Sequence, residues 1–166
     1  MPRFEHIRHQ PPSSLENPRE LILVVSPLRS SVNLSRMVRL AGCSGITRIV
    51  HCGSGKVDST IARDAADHVE IETRRSLAPF LAKLRQQDYC LVGLEQTTNS
   101  QLLPEHEFTR KTALVIGSER EGLSQEALDQ LHAVVEIPVF GFPASYNVVT
   151  ATTMAVYEYC RQFPRG

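Results

Sequence analysis

Short apolar runs and amphipathic stretches take turns along this chain, and that alternation restricts its fold more than any other feature. Residues 21–26 (LILVVS) form a run with the length and branched content of a buried strand. Residues 33–41 then repeat with helical period, placing Leu34, Met37, Val38 and Ala41 on one face. Asn33 or a neighbouring serine supplies the cap, and Gly42 and Gly45 bracket the end. Further strands are predicted over residues 46–51, 69–71, 89–94, 112–116 and 134–137. Further helices are predicted over 59–67, 77–86, 124–131 and 147–162. Strand and helix in alternation predict an α/β domain, a mostly parallel sheet flanked by helices.

That domain is expected over residues 20–166. Residues 1–19 carry Pro2, Pro11, Pro12 and Pro18, which oppose both a helix and a central strand, and read as an N-terminal arm. With 42% hydrophobic residues the chain can fill one core. Eighteen basic and 18 acidic residues give zero net charge. That excludes a nucleic-acid binder working by overall charge, but not one that gathers its arginines on one face. Cys43, Cys52, Cys90 and Cys160 lack metal-ligand spacing and sit in or near apolar segments, so they are expected as small buried hydrophobes and no metal site is expected. No apolar run approaches membrane-spanning length and the N-terminus has no secretory core, so a cytoplasmic location without membrane attachment is expected.

Familiar nucleotide signatures fail. Residues 53–56 (GSGK) look like the end of a phosphate loop, but Val50 stands where the first glycine belongs and Val57 where a magnesium-holding hydroxyl belongs. No glycine fingerprint follows the first strand, and no nucleophile elbow is present.

Three segments carry more than plain structure. In residues 31–45, Arg36 and Arg39 share a helix face. Two guanidiniums near a helix start oppose its dipole unless an anion meets them. A merely solvated face reads as well from spacing alone. In residues 113–124 an apolar strand runs into Gly117, a Ser-Glu-Arg-Glu turn and Gly122 before a helix. Ligands of parallel sheets bind at such strand ends, although a solvated turn has the same composition. Residues 137–150 hold two prolines, a glycine and two phenylalanines ahead of the closing helix. Ser145 or Asn147 can cap that helix, yet the segment is too apolar for a simple surface loop. If buried, its backbone needs partners, and a ligand would supply them.

Together and in this order, the segments resemble the three motifs of the SpoU/TrmH family of SPOUT RNA 2′-O-ribose methyltransferases. The first matches at Asn33, Arg39 and Gly45, the second at Gly117, Glu119 and Gly122, the third at Ile137, Pro138, Ser145 and Asn147. The resemblance covers about residues 21–161. Residues 92–100 (VGLEQTTNS) are similar to the branch that methylates tRNA guanosine. Tyr146 departs from the leucine common between that serine and asparagine.

The resemblance implies a C-terminal trefoil knot that holds S-adenosylmethionine bent, mostly by backbone groups. Donor-binding positions by match are Leu94, Glu95, Gln96, Ile116, Gly117, Gly122, Ile137, Tyr146 and Asn147. Catalytic positions by match are Arg39, Asn33, Glu119, Ser145 and Asn147. The reaction implied is methylation of a ribose 2′-hydroxyl in RNA, with a tRNA D-loop guanosine as first choice. Ribosomal RNA or a wobble nucleotide is the alternative acceptor, and a non-catalytic RNA-binding protein is the alternative class. A homodimer through the closing helix is also implied, with Val148, Ala151, Ala155 and Val156 suited to close packing. Arg39 either takes the hydroxyl proton or clamps a phosphate and stabilises the developing alkoxide.

Overall fold

A computed structural model describes residues 1–8 and 10–166 of the chain. Its centre is a seven-stranded parallel sheet in the order β3-β2-β1-β6-β4-β7-β5. The strands are β1 (Ile22–Val25), β2 (Arg48–Cys52), β3 (Glu70–Arg74), β4 (Cys90–Leu94), β5 (Gln101–Leu102), β6 (Thr112–Ile116) and β7 (Ala133–Glu136). β1 and β6 are wholly buried because both faces of the sheet are covered. Leu23, Val25, Leu114 and Ile116 face one core and Ile22, Val24, Ala113 and Val115 face the other, as the two-residue period requires.

The first core is closed by α1 (Ser31–Cys43) and α6 (Val148–Gln162), with Met37, Val38, Ala41, Ala155, Val156 and Tyr159 fully packed. The second is closed by α4 (Ala78–Gln86) and α5 (Gln125–Leu128), through Phe80, Leu81, Leu84 and Ala127. α1 carries the expected apolar face, and its cap is Ser30, whose hydroxyl accepts the Asn33 N–H at 3.3 Å.

Several expectations are corrected. The helix over 59–67 is two short helices, α2 (Ser59–Ala62) and α3 (Ala65–His68), broken at Arg63 with φ of 54°. The helix over 124–131 shortens to α5 behind a Ser124 cap. β5 has only two residues, too few to leave a periodic signal. Cys43 is exposed rather than buried, and Cys90 and Cys160 are half-buried; of the four thiols only Cys52 is buried. Residues 140–147 are exposed, with Phe140 and Phe142 at 95% and 100%, so this segment is no buried loop. Ala155 and Val156 belong to the chain's own core and are not free for a partner.

The described part of residues 1–19 has neither helix nor strand. It is nevertheless tied down near its end. Arg19 donates from Nε to the Ser44 carbonyl at 2.7 Å and from a terminal nitrogen to the Phe163 carbonyl at 2.6 Å, joining the ends of α1 and α6. Among the described residues no helix is long and apolar enough to cross a membrane.

Candidate active site

Three connections leave the carboxyl ends of the adjacent strands β4, β6 and β7, and they enclose one cleft of about 430 Å³. This is the edge where parallel sheets bind ligands. The volume lies in the range of small-molecule sites. Leu94, Glu95 and Gln96 come from the first connection, and Ile116, Gly117, Glu119 and Gly122 from the second. Ile137, Ser145, Tyr146 and Asn147 come from the third. All nine positions matched to donor binding therefore line one cavity, drawn from sequence positions 94 to 147.

The second connection is a closed hairpin. Ser118 and Gly122 exchange backbone hydrogen bonds at 3.1 and 3.2 Å. Gly122 sits at φ of +64°, and a Cβ on Gly117 would stand 2.6 Å from the Gly122 carbonyl carbon, so neither position accepts a side chain. Glu119 points from this hairpin toward α1. Its Oε1 accepts from Asn33 Nδ2 at 3.0 Å and its Oε2 from the Arg29 N–H at 3.1 Å. Partial burial pushes the Glu119 carboxyl up, but these donors outweigh it and hold the group below the usual carboxylate range.

Asn147 has two positions to fill at once. Its Oδ1 accepts the Val149 N–H at 2.9 Å and caps α6, while the residue also lines the cleft. Ser145 and Tyr146 line the cleft from an exposed loop.

The first motif is placed differently. Asn33 is buried and does not line the cavity, and it touches the cleft wall through the Glu119 carboxylate. Arg39 lies six residues further along α1, about 9 Å at the rise of a helix. It is exposed and does not line the cleft. Among the described residues it makes no ion pair.

Sequence reading missed several lining residues. Arg120 and Ser118 lie inside the hairpin between the two glycines, and Val148 and Ala151 on the first turn of α6. Glu136 ends β7, and its Oε2 accepts the Ser100 hydroxyl at 2.8 Å. Its place at the carboxyl end of a parallel strand was the available signal.

The geometry has counterparts among known proteins. Residues 20–157 match the model of the SpoU rRNA Methylase family. The chain belongs to that family. A mouse (Mus musculus) protein named tRNA (guanosine(18)-2′-O)-methyltransferase TARBP1 is 31% identical over 148 residues, covering 86% of this chain and 9% of the mouse protein. The tRNA (guanosine(18)-2′-O)-methyltransferase of Escherichia coli K12 is 27% identical over 146 residues, covering 86% of this chain and 64% of that enzyme. The chain thus spans less than two thirds of either relative. The crystal structure of the SpoU methyltransferase AviRb from Streptomyces viridochromogenes, in complex with AdoMet, superposes with a TM-score of 0.75. It is 21% identical, and the match covers 92% of this chain and 64% of that one, which establishes a common fold.

Proposed function

We propose that this SpoU-family protein transfers the methyl group of S-adenosylmethionine to a ribose 2′-hydroxyl of RNA, with a tRNA guanosine as acceptor. The observation that carries the reading is the convergence of the nine donor-matched positions, from three separate connections, on one cleft. Its lining fits the donor in kind. Leu94, Ile116 and Ile137 offer apolar walls, the glycine hairpin offers exposed backbone, and Glu136 offers negative charge to a cation. Three connections wound around one cavity also suit the knot that the family resemblance implies.

S-adenosylmethionine supplies a methyl group on a positively charged sulfur, and transfer from it needs no metal. The chain's part is to hold the acceptor oxygen in line, where proximity contributes much of the acceleration. Asn33 and Glu119 brace the hairpin wall against α1. Arg39, exposed on α1, either takes the 2′-hydroxyl proton or holds acceptor phosphate and stabilises the developing alkoxide while that proton leaves to water. Its distance from its own cleft is served by a homodimer, in which α1 of one protomer and the cleft of its partner share an acceptor. Support for the dimer comes from α6, whose outer stripe of Thr150, Thr153 and Tyr157 is exposed, with Tyr157 at 71%.

The test is transfer from labelled donor to unmodified tRNA and rRNA transcripts, followed by nucleoside mass spectrometry. The expected product is 2′-O-methylguanosine in tRNA. Methyl incorporation into rRNA alone moves the acceptor. Donor binding without transfer to either RNA favours the non-catalytic alternative.

A further inference from the structure

Glu95 follows β4 directly, and its side chain turns onto a loop made much later in the chain. Oε2 accepts the Leu123 N–H at 3.0 Å, and Oε1 accepts the Gln96 N–H at 3.1 Å. The hairpin is shaped around this carboxylate. A Cβ on Gly122 would stand 2.3 Å from Oε2, and one on Gly117 2.9 Å. The two glycines therefore leave room for a carboxylate as well as for a turn. The same hairpin is held at its far side by Glu119 on Asn33 and Arg29. It is a strut fixed on both sides, by Glu95 at the Leu123 N–H and by Glu119 at Asn33 and Arg29.

We propose that Glu95 is a positioning residue, whose carboxylate sets the spacing between the connection after β4 and the hairpin after β6 and thereby the shape of the donor cleft. This rests on the reading of that cleft as the methyl-donor site. Two N–H groups converge on the side chain, and only a carboxylate offers both an acceptor oxygen. Glutamine keeps the volume but turns an NH₂ toward one of them. Aspartate keeps the charge but is one methylene short. Both substitutions should fail, for different reasons, if geometry and acceptor count are what matter.

The experiment is calorimetric titration of wild type, Glu95→Gln and Glu95→Asp with S-adenosylmethionine and with its demethylated, uncharged-sulfur product. Thermal unfolding of each variant runs alongside. Expected is a loss of roughly tenfold or more for both ligands in both variants, from unpairing an N–H of a charge-assisted bond. Donor KM should rise by a larger factor than kcat falls, the mark of a loss that lies mainly in donor binding. Wild-type affinity in either variant, even with a lowered Tm, overturns the proposal, since a merely structural role lowers Tm without moving KM. A loss confined to the cationic donor also overturns it, because charge contact rather than positioning would then be the cause. A wild-type protein that binds neither ligand fails the donor reading itself, and this inference with it.

Discussion

Asn33 and Glu119 are 86 residues apart in the chain, and the amide of one donates to the carboxylate of the other at 3.0 Å. This contact joins the start of α1 to the hairpin that walls the cleft. Asn33→Asp would set two carboxylates against each other, whereas Asn33→Ala only removes a donor. At neutral pH the aspartate variant should be the less stable and the slower in transfer. Glu119 is held below its ordinary value of 4.5, so its contribution in the wild type is present above that pH and lost as pH falls through the lower folded value. The gap between the two variants should therefore close in acid, as the carboxyls take up protons. Unfolding curves across pH check this, and an unchanging gap refutes it.

Arg39 carries the sharpest expectation about chemistry. Arg39→Ala should cut single-turnover transfer by roughly 10²–10³ while donor affinity stays near wild type. Arg39→Lys should not restore the rate, because lysine lacks the planar two-pronged donor. Wild-type transfer by Arg39→Ala would make Arg39 an ordinary surface residue of α1.

The outer stripe of α6 tests assembly. Tyr157 is largely exposed in the single protomer, and its ring would be covered in a dimer that packs this helix. Tyr157→Glu should weaken self-association by roughly tenfold or more, as removal of an aromatic anchor does. Light scattering over a concentration series reads the change. A monomeric wild type at micromolar concentration ends the shared-acceptor scheme.

His106 gives a stability prediction away from the cleft. The ring is buried edge-on to Phe108 at 4.6 Å, with Nδ1 paired to Gln101 at 2.8 Å and Nε2 without a partner among the described residues. Burial lowers its pKa below the ordinary 6.5. The neutral ring's contribution is then complete above that value and is lost as pH falls through the folded one. Replacing it by His106→Leu should flatten the fall of Tm between about pH 7 and about pH 5. Part of the fall will persist, since His51 is also buried and lowered. An identical slope in the variant would discard the assignment.

Much of this was legible in the residues, for reasons that differ by element. β1 and β6 lie in the sheet's interior, and their unbroken apolar runs announce that. α1 shows its face because one side meets the core and the other water. β5 was silent because two residues have no period, and the break at Arg63 because a single positive φ leaves no compositional trace. At the site, the second and third motifs and the 92–100 segment gave the donor-matched positions through family resemblance, not through spacing. Nothing in the sequence pattern placed Glu95 Oε2 against Leu123, nor showed Phe140 and Phe142 in solvent. Those depend on where strands far apart in sequence come to lie together.

The sheet order also has a consequence for how the chain is made. β6 is wedged between β1 and β4, so β1 has no second neighbour until residues 112–116 exist. During synthesis the β1–β2–β3 unit can pair once β3 ends at Arg74, but it presents β1 as a raw edge until β6, some ninety residues beyond β1, has emerged. Loop closure over that separation slows folding relative to a fold that pairs neighbours in order. A nascent chain therefore carries β1, an all-apolar strand, unsheltered over that interval, and the β1–β2–β3 unit is the part that calls for a chaperone.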